Sequence, residues 1–137
     1  MRQMTSERFQ LALATAESLG ARITETVIDR ENARASVADW NSRGITAVAA
    51  FNDEVAALVL GAAIRLGVSV PDELAIIGHD DIPLAQLVVP SLSTVRVDTS
   101  GLGKYFAAVA VSAARNSPTP QISPQEQRAK LVVRESS

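Results

Sequence analysis

The stretch that decides the fold runs from Ile45 to Gly78, ITAVAAFNDEVAALVLGAAIRLGVSVPDELAIIG. Its opening, ITAVAAF (45–51), is an apolar run of strand length, which predicts a strand buried on both faces. DEVAALVLGAAIRLG (53–67) is long enough for a helix of about four turns at 3.6 residues per turn. Arg65 places a cation at its C-terminal end and Gly67 closes it. VSVPDE then makes a turn, and LAIIG (74–78) is a second buried strand. A strand, a helix and a strand joined by short connections argue for a parallel βαβ unit in a doubly wound sheet.

Working outward, residues 5–19 read as a helix opened by Thr5 or Ser6, with Glu7 in its first turn and Gly20 as its stop. ITETVI (23–28) alternates as a short strand does, and residues 31–42 are helical, ending near Trp40 and Gly44. After the central unit, HDDIPLAQLVVPSL is a loop with a short helix from Pro83. STVRV (93–97) is extended and residues 99–115 form a second long amphipathic helix. NSPTPQISPQ (116–125), with its three prolines, is a surface connection, and RAKLVVRES (128–136) supplies a last strand.

Composition narrows the chemistry. The 137 residues are 47% apolar and only 4% aromatic, so the core is built from Ala, Val, Leu and Ile. With no cysteine, disulfides, thiolate metal sites and cysteine nucleophiles are excluded. A net charge of −2 without a cluster of Lys and Arg argues against nucleic-acid binding by this chain alone. The N-terminus MRQMTSERFQ has no apolar core of a secretory signal, and the longest apolar runs are too short to span a bilayer. A cytoplasmic location is the default expectation.

In an open parallel sheet, ligands bind beyond the carboxyl ends of the strands. Two strand ends carry polar residues there: Asn52-Asp53 after 45–51, and His79-Asp80-Asp81 after 74–78. If the strands are neighbours, Asn52 and Asp80 face one crevice, where an amide and a carboxylate suit hydroxyls or nucleobase edges. The alternative is capping: Asn52 or Asp53 at the start of the helix, and Asp81 two residues before Pro83. The lone His79 and two adjacent aspartates make a poor metal site, because successive residues on an extended stretch point in alternating directions and no second imidazole exists. No serine elbow appears, and DTSGLGKY (98–105) lacks the first glycine and the Ser or Thr of a phosphate loop. Trp40 is either a sugar-stacking ring or an anchor for a helix end, and the anchor is favoured. The helix 53–67, apolar almost all round, is covered on more than one side, by the domain or by a second subunit.

Together, TAVAAFNDEVAALVLGAAIRLGVSVPDELAIIGHDDIPLAQLVVPSLSTVRVDTSGLG (46–103) and the closing LVVRESS (131–137) resemble the effector-binding domain of lactose-repressor-type (LacI/GalR) transcription regulators. The shared pattern is strand, Asn-Asp, Ala-rich helix, Gly, Pro-containing turn, strand, Gly-aromatic-Asp-Asp and Pro-x-Leu-Thr-Thr-Val. His79 stands at the aromatic position. The likeness extends from about Glu7 to the end.

The resemblance implies an incomplete doubly wound parallel α/β sheet with flanking helices, of the periplasmic-binding-protein-like type I. About 7–97 would be the second subdomain, 98–116 a helix returning to the first, and 117–137 a loop and closing strand. It implies that Arg8, Asn52 and Asp80 hold a sugar-like effector, with Asp53, His79 and Asp81 supporting or capping. It also implies a homodimer through Ala57, Leu58, Gly61, Val88 and Val89. There would be no catalysis, cofactor, metal or membrane, and operator DNA would be met only through a helix-turn-helix domain absent from this chain. The family's strand before the first helix is absent too, so the chain by itself is expected to be unstable or to aggregate. The competing expectations are a periplasmic-type sugar-binding transport protein, a non-functional remnant of a truncated repressor, and an enzyme using His79, Asp80 and Asp81. A measured activity kept in Asp80→Ala would remove the last.

Overall fold

The computed structural model describes residues 2–118 and 129–137, with side chains from Phe9 onward. Helices α1 (Arg2–Ser18) and α2 (Ala33–Ser42) precede strand β1 (Ala47–Ala49), helix α3 (Asp53–Leu66) and strand β2 (Ala75–His79). The short helix α4 (Leu84–Leu87), strand β3 (Ser93–Arg96), helix α5 (Thr99–Ala114) and strand β4 (Lys130–Val132) follow. The sheet has the order β1-β2-β3-β4. β1–β2 and β2–β3 are parallel, and β4 runs antiparallel to β3. The expected parallel α/β unit is present as β1-α3-β2.

The helix at its centre forms for the reasons its sequence advertises. Asn52, in extended backbone, accepts the Val55 N–H at 2.9 Å, while Asp53 and Glu54 occupy the positive end of the helix dipole. Arg65 lies in the last turn, and Gly67 adopts the left-handed φ of 72° that ends the helix. Ala56, Val59, Leu60, Ala62 and Ala63 are buried, packed against α2 and β2. Most of the apolar girth of α3 is thus covered from within the chain, while Ala57, Leu58 and Gly61 stay half-buried and Ile64 is exposed.

Leu60, Ile76 and Leu92 are the largest apolar side chains fully buried, each contributing about 1.5–3 kcal/mol of transfer free energy. Trp40 is 6% exposed and joins Ala33 and Val37 in this core, so it anchors the end of α2. The final residues are tied in as well. The buried Ser136 hydroxyl donates to the Ile76 carbonyl at 2.6 Å and accepts the Ser93 N–H at 2.9 Å.

Four expectations need correction. Residues 23–28 form no strand; they run as exposed chain up to the half-buried Ile28, because among the described residues no strand pairs with them to complete a ladder. The strand from 45–51 shrinks to Ala47–Ala49 and is not buried on both faces, since β1 is the sheet's edge and Ala47 and Ala49 are exposed. α1 starts at Arg2 rather than at Thr5 or Ser6. α5 has the expected span, yet none of its residues is buried, and Phe106 is 60% exposed. The connection expected over 116–125 lies outside the described residues beyond Pro118.

Candidate functional site

Parallel pairing of β1 with β2 places Ala49 opposite Ile77. Asn52 and Asp80 each follow their paired residue by three positions, so they emerge at the same carboxyl end of the sheet. The Ala50 N–H still bonds the Ile77 carbonyl at 2.8 Å, which carries the pairing one step further toward them. Asn52 uses its Oδ1 to cap α3; among the described residues its Nδ2 has no partner. The cap and a ligand contact are therefore compatible, because an amide has a second face to offer.

Asp80 follows directly on β2. Its N–H bonds the Val95 carbonyl at 2.8 Å, and one carboxylate oxygen meets His79 Nδ1 at 2.6 Å. Its side chain is 47% exposed, so the second oxygen is open to a ligand. The backbone is unusual here: φ is 99° at Asp80 and 52° at Asp81, the left-handed side that non-glycine residues seldom occupy. A corner of that kind persists when the surroundings hold it.

Three groups do so. The buried Asp53 carboxylate accepts the Ile82 N–H at 2.8 Å and the Thr94 hydroxyl at 2.5 Å. Asp81, whose side chain is 3% exposed, is held by Arg134 at 2.6 Å and by Arg96 at 2.5 Å. The Thr94 hydroxyl also lies 3.4 Å from the Asp81 N–H, at the long limit for a hydrogen bond. Gly78 makes room for this arrangement, since a Cβ there would stand 2.1 Å from Asp53 Oδ1. The Arg134 guanidinium, and then that of Arg96, hold the Asp81 carboxyl below its ordinary range against the opposing effect of burial.

The capping roles are thereby sorted out. Asn52, not Asp53, caps α3; Asp53 instead ties the β2–α4 loop to β3. Asp81 caps nothing: the residue preceding α4 is Pro83, with no side-chain cap, and Asp81 is met by two arginines, Arg96 at the end of β3 and Arg134 just past β4. His79, Asp80 and Asp81 do not converge on a point, since Asp80 turns to His79 and Asp81 to the arginines. Arg8 lies on α1, among the residues whose side chains are outside the described ones. Thr94, Arg96 and Arg134 are the supporting residues that sequence reasoning missed. Their signal, the TV after Ser93 and the Arg of LVVR, was visible as a likeness, but the antiparallel return that joins them to Asp81 was not.

Ala57, Leu58 and Gly61 lie on α3, and Val88 and Val89 just after α4, which packs against α3. Leu87 and Val89 are 76% and 80% exposed, leaving an apolar surface along these two elements. No helix among the described residues is long and apolar enough to cross a membrane.

Comparison with known proteins gives one consistent picture. The model of the periplasmic binding protein-like domain matches residues 2–137. The regulator GalR of Escherichia coli K12 is 39% identical over 80 residues, 58% of this chain and 23% of that protein. The ribose operon repressor of Bacillus subtilis is 41% identical over 71 residues, 52% of this chain and 22% of the repressor. A LacI family transcriptional regulator from Arthrobacter sp. FB24, solved in complex with lactose, superposes with a TM-score of 0.74 at 33% identity. That match covers 90% of this chain and 47% of the regulator, so the chain spans about half of its structural relative and about a quarter of the curated ones.

Proposed function

Because the chain belongs to the periplasmic binding protein-like domain family, in its LacI/GalR-type form, we propose that it is the effector-sensing part of a bacterial transcription regulator. It binds a sugar-like molecule at the carboxyl ends of β1 and β2 and catalyses nothing. Asn52 Nδ2 donates to a ligand hydroxyl, Asp80 accepts from one, and Arg8 supplies a further donor. Asp53, Asp81 and His79 keep Asp80 in place. The observation that carries this reading is the strained corner at Asp80, pinned from three sides yet leaving a carboxylate oxygen open. A carboxylate flanked by an amide suits adjacent hydroxyls, which both donate and accept. The lactose bound by the Arthrobacter regulator is of the same chemical class.

Two copies associate through α3 and the α4 end, around Ala57, Leu58, Gly61, Val88 and Val89. Burying the exposed Leu87 and Val89 is what drives the contact. Operator DNA is met by an N-terminal domain of the complete cytoplasmic regulator, and effector binding shifts how the dimer presents it.

The test uses the native gene product, captured with an antibody against residues 1–137 and sized by intact mass. It is titrated with galactose, ribose, lactose and related sugars. Saturable binding by at least one sugar, weakened about tenfold or more by Asp80→Asn, is expected from loss of a charge-assisted hydrogen bond. Binding undiminished by Asp80→Asn, or no response to any sugar, would overturn the assignment.

A further inference from the structure

The chain's single histidine stands beside the carboxylate on which the effector site turns. His79 ends β2, and its Nδ1 lies 2.6 Å from Asp80 Oδ1. A carboxylate only accepts hydrogen bonds, so Nδ1 carries the proton and donates it to Asp80. The other ring nitrogen, Nε2, has no partner among the described residues. The His79 side chain is 21% exposed, enough for water to deliver a proton to that nitrogen.

The two neighbouring aspartates have partners of different kinds. Asp81 is paired with Arg96 and Arg134, whose guanidinium groups are always charged. Asp80 is paired, among the described residues, with His79 alone. Imidazole is the side chain that changes charge between about pH 5 and 8. The Asp80 N–H is tied to the Val95 carbonyl at 2.8 Å, which keeps this carboxylate beside the ring. The charged groups on the surrounding elements are committed elsewhere or exposed. β1 has none between Ala47 and Ala49, and α4 has none. On β3, Arg96 is taken by Asp81. From α3, Asp53 serves Ile82 and Thr94, and Glu54 is exposed. Beyond β3, Asp98 caps α5, Lys130 lies opposite Arg96 on β4, and Arg134 is held by Asp81.

Resting on the reading of Asp80 as an effector-binding carboxylate, we propose that His79 is a positioning residue that makes effector binding proton-sensitive. With a neutral imidazole, Asp80 keeps its full charge for an effector hydroxyl at its open oxygen. When Nε2 gains a proton, the imidazolium against Oδ1 offsets that charge, and the bond to the hydroxyl weakens. Affinity is therefore highest while His79 is neutral and falls as pH falls. By reciprocity, effector binding releases the proton from His79. The fall is about fivefold, the difference between a hydrogen bond to a charged acceptor and one to a neutral acceptor.

The experiment measures binding of lactose, galactose and ribose to the native gene product from pH 8 down to pH 5.5. Calorimetry in buffers of different ionisation enthalpy counts the protons released. Both are repeated on His79→Gln, which keeps a neutral donor, on His79→Phe, which places an aromatic ring there, and on Asp80→Asn, with Trp40 fluorescence checking that each is folded. The expected result is wild-type affinity falling about fivefold with proton release on binding, and a flat profile without that release in both His79 variants. A profile shared by the wild type and His79→Gln, a flat wild-type profile, or tighter binding at pH 5.5 overturns the proposal and leaves the sugar reading standing. Absence of binding by every sugar at every pH, or affinity undiminished in Asp80→Asn, overturns both.

Discussion

Gly78→Ala tests whether the buried Asp53 carboxylate is what dictates the local architecture. The added Cβ would lie 2.1 Å from Asp53 Oδ1 and 3.2 Å from Asp53 Cα, so the carboxylate must swing away from Thr94 and Ile82. Overpacking alone costs typically 1–3 kcal/mol. Displacing the carboxylate also disturbs the bonds to Thr94 and Ile82, so a total of about 3–4 kcal/mol is expected. Asp53→Ala removes the same two bonds and leaves the half-buried Ile82 N–H and the buried Thr94 hydroxyl short of a partner, at about 3–5 kcal/mol. In the double variant the clashing oxygen is gone and only the 3.2 Å approach to Cα remains. Gly78→Ala should then add no more than about 1 kcal/mol, a coupling of roughly 2 kcal/mol or more. Urea unfolding is the assay, with fluorescence of the single, core-packed Trp40 as the probe. Additive costs would refute the argument, because Gly78 would then be intolerant of a side chain for a reason other than Asp53.

Three further outcomes follow from the same geometry. Asp81 has its proton affinity lowered in the folded state, so its stabilising contribution is present above its ordinary value of 3.8 and is lost as pH falls through the lower folded value. Acid unfolding followed by Trp40 should therefore move to higher pH in Arg134→Met, and an unchanged acid transition would contradict the ion-pair account. Asn52→Asp keeps the cap while Asn52→Ala loses it at about 1 kcal/mol, so urea midpoints separate the two although both lose the Nδ2 donor to sugar. Leu58→Arg with Val89→Asp should convert a dimer of the native product to monomer by light scattering at micromolar concentration; a wild type that is already monomeric refutes the interface.

What the sequence determined by itself was local. A cap at Asn52 or Asp53, the stop at Gly67, the burial of Trp40 and the β1-α3-β2 unit follow from turn chemistry and apolar periodicity, which act over a few residues. The likeness carried by residues 46–103 also pointed to Asn52 and Asp80, whose positions at two strand ends are a matter of chain order. The sequence could not say that Asp81 would be an ion-pair centre rather than a cap. That depends on Arg134, fifty-three residues away and just past the antiparallel strand β4, reaching the same carboxylate as Arg96. Nor could it show that Asp53 looks across to Thr94, or that 23–28 would find no strand to pair with among the described residues. A strand, a buried carboxylate and an ion pair are defined by partners distant in sequence, and only the tertiary structure decides which partners meet.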